Sequence, residues 1–244
     1  MLMRCIRAEN RKLRGASIWA VFLLVPMISA LYGTFNFLQN QGVLKMEWYD
    51  LFTQHTLFYA LFFFAPLVGI YAAYLWRLEH VGHNWNIIMT VPVPPIDLFW
   101  AKLAVVFKMA VLTQAWVCAL YVVFGKLWAR LPGWPPAEIL FWMMRGAFAA
   151  LPIIAAQLVL SMVIRAFAPP ILIAEAGGVV GMMMVNEGKG LLWPYALMLM
   201  GMNSNKTTDV LAGGMGGFLL SCAAFTLLFA AIAREILKRR DVRA

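Results

Sequence analysis

"QHTLFYALFFFAPLVGIYAAYLW", residues 54–76, runs directly into "RLEHVGHNWNIIMTVPVPPIDLFWAKL", residues 77–103. The first stretch holds no Asp, Glu, Lys or Arg and has the length, about 20 residues, that an α-helix needs to cross a bilayer. In hydrocarbon every backbone polar group must be satisfied internally, so a stretch of this kind is expected to be one helix. The second stretch gathers Glu79, His80, His83, Asn84 and Asn86, then Pro92, Pro94 and Pro95, before apolar residues resume at Leu103. A span, a polar proline-rich joint and a second span therefore set the plan of the chain.

Composition extends that plan. Of 244 residues, 63% are hydrophobic and only 13% charged, and the mean hydropathy is +0.78. Soluble domains are nearer half apolar and a quarter charged, so this is an integral membrane protein. Six apolar stretches run over about 16–38, 54–76, 103–124, 139–164, 168–185 and 213–233. The expected fold is all-α, a single transmembrane domain over 1–244 with six transmembrane helices. These residues leave no room for a soluble catalytic domain. Residues 186–212 form a loop on the outer side, and within it "LLWPYALMLMGM", 191–202, is apolar but too short to span and is broken by Pro194. That piece is expected to dip into the interface or to re-enter the bundle.

Orientation follows from the basic residues. With the N-terminus inside, thirteen of them fall on the inner side: Arg4, Arg7, Arg11, Lys12 and Arg14; Arg77 and Lys102; Arg165; and Arg234, Lys238, Arg239, Arg240 and Arg243. Six fall outside, namely Lys45, Lys126, Arg130, Arg145, Lys189 and Lys206, while Lys108 lies one turn into the third span and can snorkel inward. Both termini are therefore expected in the cytoplasm. The net charge of +9 then sits at membrane edges facing anionic lipid and implies no nucleic-acid partner. Residues 1–15 interleave Ile6 and Leu13 with the basic residues, the pattern of an interfacial helix. No small-residue cleavage site follows, so the first span is expected to be retained. Trp48, Trp134, Trp142 and Trp193 near the outer face and Trp76, Trp85 and Trp100 near the inner one read as an aromatic belt.

Few residues could carry chemistry. Cys5, Cys118 and Cys222 are odd in number and scattered, with neither disulfide nor metal spacing. "GMNSNKTT", 201–208, lacks the glycine that must precede the lysine of a phosphate loop. His80 and His83 share a helical face, yet no third metal ligand accompanies them. No catalytic set, metal site or cofactor site is therefore expected. Glu175 is the one acid deep in a span, which makes it a candidate for a substrate pathway or for proton coupling, beside the plainer role of a hydrogen-bonded interface residue. Gly177 with Gly181, and Gly213 with Gly217, are small-xxx-small pairs suited to close helix packing. The 16 methionines suit a surface that re-packs or a bundle that needs adaptable filler.

Three features resemble the membrane subunits of type-2 ABC exporters, nearest the lantibiotic-immunity and bacitracin-export permeases. They are an acid among basic residues before the first span, "RAENRKLRGASIWAVFLLVP", 7–26; a Glu and a Trp followed by prolines and then a Lys that opens span three, "EHVGHNWNIIMTVPVPPIDLFWAKL", 79–103; and the six-span plan with a basic tail. The resemblance implies a dimer of permease chains, identical or related, in a bacterial plasma membrane. It implies separate ATPase subunits that bind the ATP and magnesium, and an amphipathic peptide or small-molecule substrate expelled outward. It also places a cytoplasmic coupling helix in 77–102, with Glu79, His80, His83, Asn84 and Trp85 in the matching positions. Proline fixes φ and stops a helix, which would make that segment a stiff lever. The competing readings are a proton-coupled secondary transporter using Glu175 and a non-transporting sensor or assembly subunit.

Overall fold

The computed structural model describes residues 1–81 and 93–239, and they contain helices, turns and no strand. In chain order the α-helices are α1 (Leu2–Arg11), α2 (Ile18–Gln39), α3 (Trp48–Phe58), α4 (Phe64–His80), α5 (Pro95–Leu127), α6 (Ala137–Phe148), α7 (Leu151–Val163), α8 (Ala168–Asn186), α9 (Ala196–Gly201) and α10 (Gly214–Arg239). Six helical stretches among the described residues are long and apolar enough to cross a membrane: α2, α3 with α4, α5, α6 with α7, α8 and α10. With an even number of crossings, the N-terminal helix and the end of α10 lie on the same side. That side is called the N-terminal side below, and the other the far side.

Two spans are broken helices, and proline explains both. Between α3 and α4 the helix widens into a π turn, Tyr59–Phe63, just before Pro66. Proline has no N–H and its ring crowds the carbonyl four residues back, here Phe62, so the wider turn accommodates it. Gly178 of α8 sits against this turn, where an added Cβ would lie 3.2 Å from the Leu61 carbonyl oxygen. Between α6 and α7, Pro152 occupies the start of the second helix, and the chain passes through Ala149 and Ala150.

The helices run further than the apolar stretches. Span two continues to His80 and span three starts at Pro95, so 77–80 and 95–102 belong to α4 and α5. α4 is central, packing against α7 and α8, with Tyr71, Ala72, Leu75 and Trp76 fully buried. The α6–α7 span is 78% buried, whereas α10 is only 17% buried and presents most of its surface outward. α1 packs along α5, with Leu13 buried and Ile6 half-buried against the bundle.

The aromatic-belt expectation fails for Trp48, Trp76 and Trp142. All three are buried in the core, and the Trp48 indole N–H donates to the Pro132 carbonyl at 2.8 Å. Trp134 is exposed, Trp85 lies outside the described residues, and Trp193 and Trp100 are half-buried. In a chain so rich in apolar residues, tryptophan near a span end serves the core as readily as the interface.

Candidate functional site: a buried ion cluster on the N-terminal side

Local helix geometry puts four charged side chains in one place. Glu9, on the inward face of α1, and Lys12, in the turn after it, are three residues apart and share a face. Glu79 lies in the last turn of α4, one turn beyond Leu75 and Trp76. Lys102 lies about two turns into α5, whose start is set by Pro94 and Pro95. The Lys102 ammonium donates to Glu9 Oε2 at 2.8 Å, to Glu79 Oε1 at 2.7 Å and to the Leu75 carbonyl at 3.1 Å. It also stands 4.9 Å from the centre of the Trp76 ring. Lys12 donates to Glu9 Oε1 at 2.6 Å and to Glu79 Oε1. Two acids and two bases make the group formally neutral.

Burial decides what the cluster is for. The side chain of Lys102 is 0% exposed, and those of Glu9 and Glu79 are each 3% exposed. Lys102 has all three ammonium protons engaged, so its charge is met in full. Taking charges out of water costs several kcal/mol each, which is tolerable only with such complete pairing. Burial works against a charged Lys12, but Glu9 and Glu79 beside it outweigh this and raise its pKa.

The same turn of α4 is tied on its other faces. His80 Nε2 donates to the Ser161 carbonyl of α7 at 3.0 Å, and the His80 ring stacks on Trp76 at 6.2 Å. The Arg77 guanidinium stands 5.7 Å over the Phe167 ring. Lys108 reaches back toward the N-terminal side, as snorkelling would have it, and donates to Asn10 of α1. The two ends of the 77–102 segment are thus fastened to α1, to α7 and to each other.

Of the expected coupling residues, Glu79 therefore faces inward, and any part it takes at a partner's surface passes through the cluster. His80 faces α7. His83, Asn84 and Trp85 lie outside the described residues. Sequence reading counted Lys102 among the membrane-edge cations and passed over Glu9 as a pair for it. Glu9 and Lys102 are 93 positions apart, and the available signal was two lone charges, Glu79 and Lys102, each at the edge of an apolar run.

A second polar site occupies the far side. Residues 193–203 fold back into the bundle, and all six residues of α9 are buried between α6 and α8. Trp193 donates to the Gly177 carbonyl at 2.9 Å, and Gln157 donates to the Tyr195 hydroxyl at 2.7 Å. Gly177 is midway along α8, so the returning segment reaches half the depth of that span. The first glycine pair serves this segment. A Cβ on Gly177 would meet the Tyr195 ring at 3.0 Å, and one on Gly181 would meet the Ala196 nitrogen at 3.1 Å. Gly213, in a turn at φ +76°, and Gly217 instead flank Leu191.

Arg145, expected as an outer cation, is buried. It donates to the Gly201 carbonyl at 2.7 Å and to both oxygens of Asp209, at 3.0 and 2.7 Å. Hydrogen bonding from Arg145 holds the Asp209 carboxyl below its ordinary range. Beside this loop a pocket of about 190 Å³ is lined by Met182, Met200, Asn203, Asn205 and Lys206, among others. Glu175 stands apart from both sites. It is half-buried at the edge of the outward face of α8, near Leu172, Ile173 and Val179, and its Oε2 has no hydrogen-bond partner.

The buried cluster fastens the N-terminal helix to the ends of spans two and three. The sequence model of the ABC-2 family transporter proteins matches residues 5–181, which include all four cluster residues. The chain belongs to the ABC-2 transporter family. It is a multi-pass integral protein of the plasma membrane and a membrane permease subunit, in a family whose permeases associate with ABC ATPases. No curated protein matches the chain.

Proposed function

We propose that this ABC-2 permease works as the translocating half of an ATP-driven exporter. Its cargo is a membrane-active amphipathic compound, foremost a lantibiotic- or bacitracin-like peptide, and export gives immunity or resistance to it. Two such chains, identical or related, pair in the membrane, and each rests on a separate ATPase that holds the ATP and magnesium. Both termini and the 77–102 segment face the cytoplasm. His80, His83, Asn84 and Trp85 sit in the stretch that meets the ATPase, and Glu79 locks that stretch to the spans from within.

The observation that supports this reading best is the four-charge cluster, because it bonds both ends of the coupling segment to each other and to α1. A push on that segment then tilts α4 and α5 together as a rigid body. Spans that offer little charge beyond Glu175, Lys108, Arg145 and the cluster suit a cargo taken sideways from lipid.

The test is co-expression with a candidate ATPase, purification, and reconstitution into vesicles loaded with a fluorescent cationic antibiotic peptide. Peptide movement that needs ATP hydrolysis, and an ATPase that copurifies, are the expected results. Movement on a proton gradient without ATP, abolished by Glu175→Gln, would establish the proton-coupled reading instead.

A further inference from the structure

α1 has two faces, and the ion cluster uses only one. At 100° per residue, Arg4, Arg7 and Arg11 fall on a single stripe, nearly opposite Glu9, and Arg14 follows in the turn. All four arginines are exposed, and none makes an ion pair among the described residues. Met1 and Met3, 67% and 63% exposed, adjoin the stripe. Three unpaired guanidinium groups one turn apart, with thioethers beside them, are a surface lacking its counter-charge.

The level of α1 says what supplies it. α5 has 33 residues, about 50 Å of helix, against a hydrocarbon core of about 30 Å. Lys102 and Lys108, which hold Glu9 and Asn10 of α1, lie about 11 and 20 Å from its first residue. With the overhang of about 20 Å shared between the ends of α5, Lys102 lies at the boundary between headgroups and hydrocarbon, and Lys108, about 10 Å deeper, reaches back to it at Asn10. Gly15, at φ +67°, turns the chain directly into α2. α1 therefore lies against the membrane surface with its back on the bundle.

We propose that the Arg4, Arg7 and Arg11 stripe is a binding site for the phosphates of anionic lipid. Arginine suits this because its planar fork bonds two phosphate oxygens at once. The methionines would rest among the upper acyl carbons. Since Glu9 lies on the opposite face, bound lipid presses α1 onto Lys102 and holds the cluster closed. The proposal needs the membrane embedding of the chain but not its export role, so its test uses no ATPase.

The experiment is native mass spectrometry of the full chain released from nanodiscs of phosphatidylcholine with and without phosphatidylglycerol, paired with thermal melting in the same discs. The wild type is expected to retain phosphatidylglycerol over phosphatidylcholine and to melt higher when it is present. The triple variant R4Q/R7Q/R11Q should lose that preference by on the order of tenfold or more, given about fivefold per arginine before screening. It should also lose the lipid-dependent rise in melting, while its melting in pure phosphatidylcholine matches the wild type. R4K/R7K/R11K should keep part of the preference. Retention of phosphatidylglycerol by the glutamine variant at the wild-type level overturns the proposal. Unchanged retention together with loss of a copurifying protein would assign the stripe to an acidic protein face instead.

Discussion

The two ends of the bundle each hold a buried cation, and they treat it differently. On the N-terminal side Lys102 meets two carboxylates that are themselves buried, and three separate elements share the group. On the far side Arg145 meets one carboxylate, Asp209, whose side chain is 41% exposed, on a loop that returns from the span above. In the first arrangement only Lys12 is partly open to water, so Lys102, Glu9 and Glu79 have none to fall back on, and α1, α4 and α5 should keep their positions together or lose them together. The second can open at modest cost, because an exposed Asp209 regains water when it leaves Arg145. The contrast separates a rigid joint from a fastening that can be released.

Breaking the rigid joint should have the largest effect. Lys102→Met leaves Glu9 and Glu79 sharing Lys12 alone, an uncompensated buried charge that costs about 3–5 kcal/mol. Unfolding in mild detergent should show that loss. Adding Glu79→Gln, which restores neutrality around Glu9 and Lys12, should recover much of it. If the double variant is no more stable than the single one, the cluster is not acting as a unit.

The far side should give smaller losses by a different mechanism. Gly177→Val pushes a branched side chain into the Tyr195 ring, now 3.0 Å from an added Cβ, and such overpacking costs about 1–3 kcal/mol. The returning segment should loosen first, read as faster hydrogen exchange at 195–202 with α1 unchanged. Exchange that quickens equally at both ends would deny the two sites their independence. Asp209→Asn, which removes the charge but keeps the shape, should cost about 1 kcal/mol in the same assay.

The smallest effect is on pH. The folded pKa of Asp209 lies below its ordinary value of 3.8, so the carboxylate binds fewer protons folded than unfolded. Its contribution is present above that value and is lost as pH falls through the lowered folded pKa. Solvent screening keeps the contribution under about 1 kcal/mol. Acid should therefore quicken exchange at 195–202 in the wild type and not in Asp209→Asn.

Much of this fold was legible in the sequence, because apolar length and the absence of charge report directly on spans. The helix ends were harder to place: 77–80 and 95–102 carry charges, and their helical state depends on pairing that only the fold provides. The same limit hid the cluster. A lone Lys102 at the head of an apolar run looks like an anchor in the headgroups until Glu9, 93 positions away, is brought to it. The burial and partner of Arg145 stayed hidden for the same reason, since Asp209 lies in a loop 64 positions on. The glycine pairs were recognised as close-packing surfaces, but their partners are Tyr195 and Ala196 of the returning segment and Leu191 just before it, not a neighbouring span. Glu175 stood out at once, and the structure leaves one of its oxygens buried with no hydrogen-bond partner.

The cluster should make α1 and the end of α4 one body. The direct measurement is pulsed electron–electron spin distances between labels at Met3 and Val81, both exposed, on a chain with Cys5, Cys118 and Cys222 replaced. A second pair joins Val81 to Leu127, exposed at the far end of α5. With the partner ATPase bound, ATP should shift the Val81–Leu127 distribution and leave Met3–Val81 narrow and unchanged, and Lys102→Met should broaden Met3–Val81. A Met3–Val81 distance that changes with ATP in the wild type, or that stays narrow in Lys102→Met, would show that the cluster does not join α1 to α4.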